Sequence, residues 1–210
     1  MFNRTTLVIL IAAVAAGLGL WASQKHFGAA PAEAWPPTQA VRLFDPPRAL
    51  PDFSLRQSDG TQLVPGELKG HWTLVFLGFT HCPDVCPLTL SQLSQAQKQW
   101  ETIPEAIRPR VLFVSVDPER DSAKLADDYA RHFTDAATGV TADHDRLTPF
   151  TRALGMVYMT SPLDDGGYSV DHSVSVAVID PDTRLVAQLR PPLDAQRIAA
   201  DLHTLMDVRR

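Results

Sequence analysis

WTLVFLGFTHCPDVCPLTL, residues 72–90, carries the pattern that decides the fold. Its first part, WTLVFLGFT (72–80), is a continuous apolar and β-branched run of strand length. Such a run fits a strand buried on both faces, in a sheet covered by helices. The chain's two cysteines follow, Cys82 and Cys86, each succeeded by proline. Beyond them LTLSQLSQAQKQW (88–100) sets Leu88, Leu90, Leu93, Ala96 and Trp100 at helical spacing. A cysteine pair between a central strand and its helix suggests a thioredoxin-like fold.

The flanking sequence extends that pattern. FSLRQSDGTQLV (53–64) alternates on either side of an Asp59-Gly60 turn and predicts a β-hairpin at the start of the domain. RVLFVSVD (110–117) is a second buried strand, and SAKLADDYARHF (122–133) a second helix. RLTPFTRALG is a further helical stretch with Gly155 as its stop. HSVSVAVID (172–180) and RLVAQLR (184–190) are strands separated by a Pro181-Asp182 turn. The last run, from Asp194 as N-cap, keeps an apolar stripe to the end. The order hairpin, β, α, β, α, α, β, β, α predicts an α/β domain with a central mixed sheet flanked by helices.

Composition limits the function classes. In 210 residues, 45% are hydrophobic and 20% charged, the balance of an ordinary globular protein. The net charge of −5 and the lack of any basic run exclude nucleic acid as a partner.

The N-terminus adds a membrane element. TTLVILIAAVAAGLGLWA (5–22) has no charged residue. As helix it would extend ~27 Å, close to the ~30 Å bilayer core. It reads as a single transmembrane anchor, residues 5–22, after a cytoplasmic N-terminus of residues 1–4 that carries Arg4. The rival reading is a signal peptide, but its best small-residue site, Ala32-Glu33-Ala34, lies far past the apolar run. Residues 23–47, rich in Ala and Pro, read as an extended linker, and 48–210 as the folded domain. The expected location is a bacterial inner membrane, with the domain on the periplasmic side.

In that oxidising setting the cysteine pair has three readings: structural disulfide, redox couple, or part of a metal site. On a regular helix the two Cβ atoms would stand ~5–6 Å apart, beyond the ~3.5–4.5 Å that a disulfide needs. A metal needs only ~2.3 Å from each sulfur. A structural bridge would close a tiny loop with little entropic gain. Pro87 disfavours helical geometry at Cys86, which places Cys86 as N-cap or strained first-turn residue of helix 88–100, where the helix dipole favours a thiolate. Asp84 reads as a helix cap.

A metal site needs a third ligand. Of the seven histidines, His26 lies in the linker, His71 and His144 in apparent loops, and His132 and His203 on surface helices. His81 adjoins Cys82, but adjacent side chains diverge. His172 stands at the entry to a predicted core strand, at the sheet edge where such folds place their sites. It is either a ligand or a satisfied structural histidine.

FLGFTHCPDVCPLTL (76–90), FVSVDPERD (113–121) and YSVDHSVSVAVIDPD (168–182), in that order, resemble the Sco/SenC family of membrane-anchored copper proteins. The resemblance runs from about Pro51 to the last helix. It implies a thioredoxin-like copper chaperone that binds Cu(I) or Cu(II) and helps assemble the binuclear copper centre in subunit II of cytochrome c oxidase. It implies Cys82 and Cys86 as thiolate ligands and His172 as the imidazole ligand. Soft thiolates retain Cu(I), and the imidazole makes Cu(II) acceptable too. Asp117 is a candidate outer carboxylate that orients the site, or simply a turn residue before Pro118. Asp171 is a candidate weak outer ligand. Met156 and Met159 read as core packing. The segment MTSPLDDGGYSVDH reads as a mobile edge, with Gly166-Gly167 permitting motion.

Copper delivery, without turnover, is the leading function. The alternatives are a thiol–disulfide reductase acting through Cys82 and Cys86 on the oxidase's copper-site cysteines, or a redox or copper sensor. A further expected partner is another periplasmic copper chaperone or a thiol reductase.

Overall fold

In the computed structural model, residues 3–27, 38, 40–105, 107–163 and 166–208 are described. The chain divides into two compact units, Met1–Ala34 and Trp35–Arg210.

The first unit is a helix, α1 (Arg4–Phe27), which runs beyond the expected end of the anchor at Ala22. Its segment Arg4–Ser23 is long and apolar enough to cross a membrane. Leu7, Ile9, Ile11, Val14 and Leu18 stand exposed along it. Ala32-Glu33-Ala34 and the middle of the expected linker, residues 28–37 and 39, lie outside the described residues.

The second unit begins with β1 (Val41–Ala49), then the short strands β2 (Leu55–Arg56) and β3 (Gln62–Leu63). These are followed by β4 (Thr73–Gly78), α2 (Val85–Lys98), β5 (Arg110–Ser115), α3 (Ala123–Phe133), β6 (Ala137–Val140) and α4 (His144–Ala153). The chain closes with β7 (Tyr158–Pro162), β8 (Tyr168–His172), β9 (Val176–Ile179), β10 (Arg184–Leu189) and α5 (Ala195–Val208). Among the described residues the main sheet runs β1-β10-β9-β4-β5-β6. The β4-β5-β6 half is parallel, and β9, β10 and β1 are antiparallel to their neighbours. This is the mixed sheet expected, with Cys82 in the loop between β4 and α2 and Cys86 in the first turn of α2.

The apolar runs explain the centre of the sheet. Every residue of β4 and of β9 is buried, so both faces of these strands are covered, as continuous Val/Leu/Phe runs require. Helix α2 packs on α3 and α5. Trp100, 1% exposed, donates its indole N–H to the Ala199 carbonyl at 3.2 Å and pins the end of α2 to α5. The Asp59-Gly60 turn forms as expected: β2 pairs with β3, Gly60 takes φ 86°, and Asp59 accepts the Thr61 N–H at 2.9 Å.

Three expectations need correction. The stretch ending at residue 47 is not all linker, because β1 starts at Val41 and pairs with β10 at the edge of the sheet. Its register shifts between Leu43 and Arg48. That irregularity accommodates Pro46 and Pro47, which lack ladder donors and suit only an edge. Strand β6, sequence ATGV, has too little apolar patterning to announce itself. The expected mobile edge before His172 is an antiparallel hairpin, β7 with β8, pairing Tyr158 with His172 and Pro162 with Tyr168. His172 therefore ends β8; the core strand β9 begins at Val176.

Candidate metal centre

Strand β4 hands the chain to a loop, Phe79-Thr80-His81, and then to the cysteines. Gly78 makes the approach possible. A Cβ there would sit 2.9 Å from Cys86 Sγ and 2.6 Å from the Phe113 ring. Helix α2 starts at Val85, three residues earlier than its apolar spacing implies, so Cys86 lies in the first turn. Asp84 occupies the N-cap position but makes no side-chain cap bond, contrary to the expected capping role. Cys82 fills that role: its Sγ accepts the Cys86 N–H at 3.4 Å, satisfying one of the orphan donors of the helix start. Neither cysteine is bridged; Cys82 is half-buried and Cys86 fully buried.

His172 arrives from the end of β8. Its Nε2 lies 3.5 Å from Cys86 Sγ, and its Nδ1 lies 3.1 Å from the Ser173 carbonyl. An Nδ1–H donated to that carbonyl fixes the tautomer and leaves the Nε2 lone pair facing the sulfurs. Phe76 and Phe79 meet the imidazole edge-on, at 5.8 and 6.1 Å between ring centres.

Sγ of Cys82, Sγ of Cys86 and a ring nitrogen of His172 all lie within 4.8 Å of one another. Two metal–sulfur bonds of ~2.3 Å span at most about 4.6 Å, so the donors stand within a few tenths of an ångström of bonding geometry. The set of two thiols and one imidazole suits a soft or borderline ion.

Burial favours the neutral form of two of the three donors. Burial, reinforced by the bond with Cys82, pushes the Cys86 thiol well above the ordinary cysteine range. Desolvation thus outweighs the helix dipole that was expected to favour the thiolate. Burial likewise lowers His172, against the opposing pull of the Ser173 carbonyl and Asp171. A bound cation would invert the thiol's preference.

The other candidates separate. Asp171 is exposed, on the strand face opposite His172, with the Ser161 hydroxyl 3.5 Å away; it is not among the clustered donors. Asp117, 0% exposed, accepts the Tyr168 hydroxyl at 2.6 Å and the Arg120 guanidinium, so it serves the hairpin that carries His172. His81 is exposed and contacts Thr80 Oγ1 at 3.1 Å. His144, expected in a loop, opens α4 and stacks on Tyr158, with Glu119 3.0 Å from its Nε2. Met156 is core as expected, but Met159 is 63% exposed on the outer face of the hairpin.

Sequence reasoning missed Asp121. Fully buried, it accepts the Thr80 N–H at 2.8 Å and hydroxyl at 2.6 Å, and the Ser115 hydroxyl at 2.6 Å. It therefore clamps the loop that leads into Cys82. Its only signal was its place at the end of FVSVDPERD.

The SCO1/SenC family model matches residues 44–207 of the chain. The bovine mitochondrial protein "SCO2 homolog" is 36% identical over 132 residues, 62% of this chain and 50% of that protein. A Stutzerimonas stutzeri protein named "Putative copper-binding protein" is 30% identical over 172 residues, 81% of this chain and 83% of the other. The solved structure of Arabidopsis thaliana ScoI with copper bound matches with a TM-score of 0.69 at 28% identity, covering 75% of this chain and 98% of that one. The chain spans about half the length of the bovine relative.

Proposed function

The chain belongs to the SCO1/SenC family, and from that footing we propose that it is a membrane-anchored copper carrier for cytochrome c oxidase assembly. Copper is its cargo, held by Cys82, Cys86 and His172 and handed on to subunit II of the oxidase. The observation that carries this reading is the convergence of those three donors within 4.8 Å. Copper in the Arabidopsis relative's structure and the name of the Stutzerimonas protein support the choice of ion. The two sulfurs hold Cu(I), and the Nε2 lone pair of His172 adds a borderline donor for Cu(II). Half-buried Cys82 is the accessible ligand, so exchange with an acceptor's thiolate begins there. Helix α1 anchors the domain in a bacterial inner membrane, on the periplasmic side, and a second copper chaperone or a thiol reductase supplies the metal or keeps the sulfurs reduced.

A second reading rests on the same pair, an accessible sulfur at Cys82 above a buried one at Cys86. In thiol–disulfide exchange, the Cys82 thiolate would attack a substrate disulfide, and Cys86 would then displace the remaining substrate sulfur. The products would be a Cys82–Cys86 disulfide and two substrate thiols. This reading gives His172 no task.

The test uses the full-length, reduced protein in detergent. It should hold one copper per chain and show a sulfur-to-Cu(II) charge-transfer band that Cys82→Ser and Cys86→Ser each remove. His172→Ala should weaken Cu(II) by more than about tenfold, since even an outer partner of a ligand is worth that much. Failure of the reduced protein to retain copper overturns the proposal. Turnover of a disulfide-bridged oxidase peptide, unchanged in His172→Ala, would favour the second reading.

A further inference from the structure

Among the described residues the β7–β8 hairpin, which carries His172, forms its own two-stranded sheet and shares no ladder with the main one. Its position depends on side chains. The hairpin's own pairing continues one step past His172, with Val157 N–H donating to Ser173 Oγ at 3.0 Å and Ser173 N–H to the Val157 carbonyl at 2.9 Å. At that end Tyr158 fastens the hairpin to α4, stacking on His144 with its hydroxyl 3.3 Å from Thr148 Oγ1.

The far end is fastened differently. Strand period places Tyr168, Val170 and His172 on one face, with Tyr168 about 13 Å from His172. Val170 is 7% exposed, so that face points into the domain. The Tyr168 hydroxyl donates to Asp117 Oδ1 at 2.6 Å, and Arg120 occupies the other carboxylate oxygen. Arg120 also donates to the Tyr168 carbonyl at 3.3 Å, and its guanidinium lies 4.0 Å over the Tyr168 ring. The same guanidinium lies 5.8 Å over Phe79, the ring that meets His172 edge-on. Nothing here contacts the sulfurs, yet the cluster grips the strand bearing the nitrogen donor and backs the aromatic wall behind it.

We propose that Asp117, Arg120 and Tyr168 form a latch of positioning residues that sets the direction of β8 and so holds His172 Nε2 against Cys86. Fastened at both ends, the hairpin has one orientation; freed at Tyr168, it pivots about the contact of Tyr158 with α4 and withdraws the imidazole. The latch thereby governs the third donor and leaves the two sulfurs in place. This deepens the copper reading, on which its metal-bound half rests.

Tyr168→Phe is the informative variant, because it removes one hydroxyl and keeps the ring beneath Arg120. In the metal-free full-length protein, nuclear Overhauser contacts of the His172 ring with Phe76 and Phe79 should weaken, and the Val170–His172 amides should exchange faster. With copper, Cu(I) retention should be unchanged, while Cu(II) affinity falls about tenfold, the scale of one lost hydrogen bond to a charged group, and the nitrogen hyperfine signal shrinks. The variant Arg120→Lys, which keeps the charge but not the fork, should act in the same direction. Retained ring contacts in the metal-free Tyr168→Phe protein overturn the proposal, as does an unaltered nitrogen signal in its copper-loaded form. Should the wild type take no copper, the copper reading fails, and the metal-free ring contacts alone decide the latch.

Discussion

His172 Nε2 lies 3.5 Å from Cys86 Sγ, although 86 positions separate the two residues. One comes from the first turn of α2, rooted in the main sheet, and the other from a hairpin outside that sheet. Both are held neutral by burial. The centre is therefore assembled before any ion enters, and the costs of charge are met only when a cation arrives.

Gly78 provides the room for that assembly. In Gly78→Ala the new methyl group would meet Cys86 Sγ and the Phe113 ring at distances real contacts do not reach. Overpacking of this kind costs about 1–3 kcal/mol. The expected outcome is a lower melting temperature together with a weakened sulfur-to-Cu(II) band. A variant that melts lower but keeps a wild-type band would show that the helix, not the sulfur, yields.

Asp121 holds the loop before Cys82. Asp121→Asn keeps the shape but offers a single acceptor oxygen to the Thr80 N–H, Thr80 hydroxyl and Ser115 hydroxyl. The amide trades hydrogen bonds to a carboxylate, worth about 1.5–3 kcal/mol, for weaker neutral ones and turns the Thr80 hydroxyl from donor to acceptor. Cys82 should then be alkylated faster by iodoacetamide, followed by mass spectrometry of the reduced, metal-free protein. An unchanged rate would mean the loop keeps its place without the carboxylate.

Gly139, in β6, faces α3 so closely that a Cβ would stand 2.2 Å from the Ala126 carbonyl group and 2.3 Å from the Asp127 nitrogen. Backbone cannot swing aside as a side chain can. Gly139→Ala should destabilise the domain by about 3 kcal/mol, the upper part of the overpacking range. At this size that is roughly 6–12 °C in melting temperature, readable by circular dichroism.

Asp127 joins α3 to that strand. Burial alone would raise its carboxyl, but the Gly139 N–H, Arg131 and Ser58 outweigh burial and hold it below the usual range. Its folded value is thus depressed relative to the unfolded chain. The stability it contributes is fully present above the unfolded value of about 3.9 and is lost as pH falls through the folded one. Asp127→Asn should therefore narrow its deficit against wild type in urea melts as pH drops from about 5 towards 2. A constant deficit would show that the carboxylate's charge does not matter.

What the sequence made legible follows from where each segment is buried. Strands β4, β5, β9 and β10 are covered on both faces; the first three read as continuous apolar runs, and β10 as one interrupted only by Gln188. Strand β1 carries two prolines at an edge, and β6 is four residues with a glycine, so neither has a local signature. The β7–β8 hairpin buries only Val170 fully, and its polar, glycine-containing sequence looked like loop. The site divides the same way. The cysteines declare themselves by spacing and by the strand and helix around them. Recognising His172 as the third donor needed the resemblance, because its strand gave no sign of folding back. Asp121 has meaning only through Thr80, 41 residues earlier.

The contact between the Cys86 N–H and Cys82 Sγ has a practical side. Any event at Cys82, whether loss of a proton, oxidation or capture of an ion, changes the acceptor seen by that one amide. In isotope-enriched protein its nitrogen–proton resonance is a reporter built into the backbone, able to follow proton loss, oxidation or Cu(I) capture at Cys82 without an added dye.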